Sequence, residues 1–113
     1  MNHPISIAIL LLAASIAPAA QAACEYPADA KIPDGKTATE ADINAASSVV
    51  KKYLGDMEAY MACLDAEAAA LPVEQQTPET KALHVKRYNA AVDAMEATAN
   101  SFNEQLRAFK AAK

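Results

Sequence analysis

The chain has 113 residues, with ten Lys plus Arg against fourteen Asp plus Glu, a net charge of −4, two Gly and no Trp. That inventory allows one small domain of strongly helical composition. A mildly acidic chain carries no electrostatic footprint for nucleic acid or an anionic lipid surface, so neither is an expected partner.

Residues 1–22 read as a secretory signal peptide. Met1 to Pro4 is a short polar start, Ile5 to Ala20 is almost wholly apolar, and Ala20-Gln21-Ala22 is a small-x-small cleavage site. The n-region is unusual in carrying His3 but no Lys or Arg. A membrane span needs about 20 apolar residues, and this run is shorter and interrupted by Pro18. Cleavage leaves a chain beginning near Ala23 or Cys24, exported to the periplasm or the cell exterior, with no stable membrane insertion. In that oxidising space the two cysteines, Cys24 and Cys63, are expected to form a disulfide. The alternative is a lipidated Cys24. Gln21 stands where a lipidation signal wants a bulky apolar residue, and lipidation would strand Cys63.

Residues 23–38 contain Pro27, Pro33 and the pair Asp34-Gly35, which predicts an extended strap with a turn. A helix then starts at one of two capping boxes, Thr37 with Glu40 or Thr39 with Asp42, and is expected over about residues 39–71, ending before Pro72. Ile43, Val50, Met57, Leu64 and Leu71 recur every seven residues, with Ala46, Tyr53 and Tyr60 between them, drawing an apolar seam. Gly55 lies off that seam and marks either tolerance or the close approach of another backbone. Thr77-Pro78-Glu79 opens a second helix expected over about residues 78–111. Its seam is read as Val85, Tyr88, Val92, Met95, Ala99, Phe102, Leu106 and Phe109, with Lys86, Arg87, Asp93, Glu96 and Glu104 off it.

Two long helices with a short linker fold back as an antiparallel hairpin, so the fold class is all-α: a two-helix hairpin with an N-terminal strap pinned by a disulfide. Placing Leu71 near Lys81 sets Leu64 beside Tyr88, Met57 beside Met95 and Ile43 beside Phe109. Glu67 interrupts the first seam and is expected to pair with Lys81 or His84 at the edge. Reach permits the disulfide. From Thr39 to Cys63 a helix rises roughly 36 Å, and the residues from Cys24 to Thr39 span up to about 50 Å when extended.

The segments CEYP, IPDG, the Thr-rich helix start and YMACLDAE resemble those of small uncharacterised exported bacterial helical proteins, in which a Cys-x-x-Pro and a Pro-Asp-Gly turn precede a second Cys in a long helix. The resemblance covers most of the mature chain. It supports export and the Cys24 to Cys63 pairing, and implies no activity.

Little in the chain points to catalysis. His84, the one histidine after the leader, stands in HVKRY with no adjacent carboxylate to orient it. There is no glycine-rich phosphate loop, nucleophile elbow or HExxH motif. Neither a catalytic residue nor a cofactor or metal site is assigned, and the chain is expected not to be an enzyme. Met57, Met61 and Met95 converge in the expected pairing, and soft thioethers would suit Cu(I) in an exported carrier. Methionine is equally an ordinary core filler. Beside the seam, Leu54 and Met61, rimmed by Tyr53 and Tyr60, widen the apolar stripe beyond what one helix covers. That flank is the candidate interaction surface, for a protein partner or a second copy forming a homodimer.

Overall fold

The computed structural model describes residues 23–113. The leader assigned to residues 1–22 lies outside them. The fold is the all-α hairpin with its disulfide-pinned strap: α1 spans Glu40–Ala70 and α2 Pro78–Ala111, with a 3₁₀ turn at Val73–Gln75 between them.

Of the two candidate starts for α1, the chain uses the later one. The Thr39 hydroxyl accepts from the Asp42 N–H at 3.1 Å, and the Asp42 carboxylate accepts from the Thr39 N–H at 2.9 Å. These two bonds satisfy donors that a helix start leaves open. They also hold the Asp42 carboxyl below its ordinary value, the Thr39 backbone bond first and its side chain second. A carboxyl with a folded pKa below its unfolded one stabilises the fold above the unfolded value, and that contribution disappears as pH falls through the folded value. Denaturant titrations below pH 4 should therefore show a shallower acid slope for Asp42→Asn than for the parent, and identical slopes would remove the box from the acid response.

The first helix ends where Leu71 turns extended ahead of Pro72. Its free carbonyl accepts from the Gln76 side-chain amide at 2.9 Å. At the start of α2, Thr80 stands where a capping box usually has Glu. Its N–H donates to Thr77 Oγ1 at 3.2 Å, and its own Oγ1 accepts from the Thr77 N–H at 3.0 Å. A threonine reaches back because its hydroxyl needs only the short distance within one turn.

Burial is uneven between the helices. Ile43, Ala46, Val50, Tyr53, Met57, Tyr60 and Leu64 are all buried on α1, at three- and four-residue steps, whereas Ala91 is the buried residue of α2. The strap accounts for the difference. From Cys24, bonded to Cys63, it runs toward Thr39 and packs Tyr26 edge-on against Tyr60, with ring centroids 5.2 Å apart. Ala30 joins the core farther along. Thus α1 is covered by α2 and by the strap, and the strap meets α2 where Gly35 lies against Gln105. The pairing also occupies the thiol that lipidation of Cys24 would require.

On α2 the face turned toward α1 differs from the predicted seam. Val85 is 54% exposed, while Ala91 is fully buried and Ala94 packs on the core cluster. Tyr88, Val92, Met95, Ala99, Phe102, Leu106 and Phe109 are half-buried. Periodicity alone weighted large apolar side chains, but the α1 seam is already filled by Tyr53, Met57 and Tyr60, and small Ala91 lets the two backbones close on them. Arg87, expected off the seam, is drawn with this face toward α1. It, and not Lys81 or His84, pairs with Glu67, at 3.3 Å.

The two glycines behave oppositely. Gly55 is exposed, and a β-carbon there would meet nothing within 4 Å. Gly55→Ala should therefore raise the unfolding free energy by about 1 kcal/mol, the ordinary helix-interior difference, read from a urea midpoint moved upward at unchanged slope.

Candidate interaction surface

Every sequence-predicted surface residue is packed to some degree. Tyr53 and Tyr60 belong to the buried core, and Leu54 and Met61 are half-buried against it. The rings pack on one another, with Tyr26 edge-on to Tyr60. Burial, then the Tyr53 hydroxyl, raises the Tyr26 phenol above its ordinary value. The Tyr60 hydroxyl holds the Arg87 guanidinium above its own, against the opposing effect of burial, with Glu67 adding to it. Glu67 Oε2 also lies 3.2 Å from Cys24 Sγ, a contact and not a hydrogen bond, because a disulfide sulfur carries no proton. The cluster joins strap, α1 and α2 around the disulfide.

Met57 is completely enclosed, and Met61 and Met95 pack on the same cluster. All three methionines thus belong to or touch one core cluster. Among the described residues no group of three or more His, Cys, Asp and Glu is arranged to hold a metal ion.

His84 gains a partner that sequence adjacency hides: Asp65 of α1, 3.0 Å from Nε2. A carboxylate can orient an imidazole in this way. One turn earlier on α2, the Thr80 hydroxyl donates to the Gln75 carbonyl at 2.7 Å and serves the helix cap.

The least covered apolar surface is at the hairpin end. Val73, Leu83 and Val85 are 83%, 55% and 54% exposed, while the other exposed large side chains among the described residues, Tyr26 and Val49, lie elsewhere. Between the last turn of α1 and the first turns of α2 is an open groove of about 400 Å³ lined by Ala68, Ala69, Leu71 and Val85, with Lys81 and His84 along it. A smaller space of about 160 Å³ shares Ala68, Leu71 and His84 with it and is bounded by Leu83 and Arg87. The spaces exist because Ala68, Ala69 and Thr80 are too short to fill the gap between the helices. The strap does not reach them, since it leads from Cys63 in the other direction. Two sequence signals mark this end: Val73 continues the apolar run of Leu71 and Pro72 into the linker, and Leu83 falls off the 3–4 row of α2.

No helix of the described residues is long and apolar enough to cross a membrane. Compared with family models, curated proteins and solved structures, the chain matches none.

Proposed function

We propose that the chain is a non-catalytic, exported protein-interaction module that works in the periplasm or outside the cell and engages its partner through the hairpin end. The supporting observation is the exposure of Val73, Leu83 and Val85 at the hairpin end, where Val85 lines an open groove of about 400 Å³ and Leu83 the smaller space beside it. Apolar side chains gathered at one place on an otherwise polar surface mark association sites. The flank of Leu54 and Met61 offers less, since both side chains already pack inward. A disulfide fits an oxidising compartment and therefore export. The test is affinity capture from an envelope fraction with the native protein and with Val85→Asp. One protein recovered by the first and lost with the second supports the reading. Equal recovery by both, or capture abolished by Leu54→Asp and not by Val85→Asp, moves or removes the site.

The packing of Met57, Met61 and Met95 on one core cluster supports one second reading, a soft-metal carrier for Cu(I). Met57 has no exposed surface, so metal entry would require the hairpin to open. Titration with Cu(I) under reducing conditions decides it: binding weaker than about micromolar, a free energy near −8 kcal/mol, ends this reading.

A further inference from the structure

We propose that Glu67 guards the Cys24–Cys63 disulfide against attack by thiolates, so that the pinned strap is a clamp that small thiols open slowly. Burial does not protect the bond. Both cysteines are half-buried, and Cys63 lines an open space of about 370 Å³ beside Tyr26 and Tyr60. A reductant can reach the pair from solvent, so whatever slows it has to act through charge.

The position of Glu67 supplies that charge. It stands one turn after Cys63 on α1, and its Oε2 lies 3.2 Å from Cys24 Sγ. A disulfide sulfur has no proton to donate, so the contact gains the carboxylate no hydrogen bond there. What holds it is Arg87 of α2, whose guanidinium donates to the other oxygen, Oε1, at 3.3 Å. The arginine thus fixes one oxygen while the second rests against the sulfur.

Opening the bond takes two exchanges. An attacking thiolate bonds to one sulfur of the pair, and the S–S bond breaks with its electron pair leaving on the other. A second thiolate then attacks the reagent's sulfur in the mixed disulfide, which releases the remaining cysteine thiolate and the oxidised reagent; both cysteine thiolates take protons from water. In the first exchange, attack at Cys24 brings an anion against the Glu67 carboxylate. Attack at Cys63 makes Cys24 the leaving anion beside the same carboxylate. Either route sets negative charge a few Å from fixed negative charge, and unit charges about 4 Å apart repel enough, even in water, to slow a step about fivefold. Arg87 offsets part of this from the far oxygen. On the Cys63 side Asp56 is matched by Lys52, while Glu25 forms no ion pair among the described residues and adds to the repulsion.

The experiment treats the disulfide-bonded protein with excess 2-mercaptoethanol, a thiol whose thiolate carries no second charge. Samples are quenched with acid, and mass spectrometry counts mixed disulfide and dithiol. Glu67→Gln keeps the side chain's shape at an exposed position, and it should be reduced about fivefold faster than the parent. That gain should shrink in about 1 M salt, which screens charges beyond about 3 Å. Glu67→Gln combined with Arg87→Gln should keep the gain, since the guanidinium freed in the single variant is then absent. Before reduction, amide exchange at residues 24–30 of Glu67→Gln should match the parent, because the strap is still pinned. Equal reduction rates, a gain indifferent to salt, a gain lost in the double variant, or faster strap exchange in Glu67→Gln would each overturn the guard.

Discussion

Gly35→Ala should be among the most damaging single substitutions in the described chain, lowering the unfolding free energy by about 3 kcal/mol. Neither glycine has a positive φ, so alanine would suit the backbone of Gly35 well. On that ground alone the substitution would stabilise by up to about 1 kcal/mol through the unfolded state. The obstacle is α2. A β-carbon on Gly35 would overlap the Gln105 carbonyl oxygen and come within 2.8 Å of its carbon and 2.9 Å of the Phe109 nitrogen. These are backbone atoms of a helix and cannot swing aside. The strap must lift instead, losing the hydrogen bond that the Gly35 N–H donates to Gln105 Oε1 at 2.8 Å. Because the strap stays tethered at Cys63, the loss is bounded by the docking energy of its distal end. Gln105→Ala should cost only about 1 kcal/mol, the single hydrogen bond. Combined with Gly35→Ala it should rescue nothing, since the clash is with main chain. Urea unfolding together with amide exchange at residues 30–38 measures both, and a Gly35→Ala protein as stable as the parent would rule out the close approach.

Loss of the disulfide should cost about 4 kcal/mol, the chain-entropy value for a cross-link between cysteines separated by 39 positions. Cys24→Ser and Cys63→Ser should be equivalent, and the double substitution no worse than either, because all three remove one bond. Reduction of the parent should reproduce the effect. The cost is large here because α2 contributes one fully buried residue, leaving the hairpin a thin core without the strap. Non-reducing mass spectrometry should find the native protein two hydrogens lighter than the dithiol. A pair of free thiols, or a stability insensitive to reduction, would contradict the pinned strap.

The two predictions differ in how far the sequence alone reaches them. The cysteines announced themselves, since two of them with adequate reach between them allow a single pairing. Gly35 did not, because Pro33-Asp34-Gly35 reads as a turn and gives no hint that the glycine is there for the sake of a helix 70 residues later. The turn itself forms, with the Thr37 and Ala38 N–H groups donating to the Asp34 carbonyl.

The candidate surface shows a similar division. Leu54 and Met61 lie beside a heptad seam and read as surplus, yet how much of a stripe is left over depends on what covers it. The hairpin end drew no attention because Val85 fits the α2 row by spacing. A small rotation of α2 toward Ala91, with Tyr88, Val92 and Met95 still half-buried, leaves Val85 outward and brings Arg87 to Glu67. Such a rotation costs a two-helix pair little when the facing side chain is an alanine.

What the sequence by itself determined is what local chemistry dictates: two helices, their threonine caps, the continuous seam of α1, the antiparallel return and the Cys24 to Cys63 bond. Each depends on residues a turn or two apart, or on chain length. The tertiary structure alone decided the rotation of α2 about its axis, the meeting of Asp65 with His84 and of Glu67 with Arg87, the contact of Gly35 with a distant backbone, and which apolar side chains remain uncovered. Those follow from the packing of three segments at once, and no periodicity within one helix can rank arrangements that differ only in how its neighbours fill the space beside it.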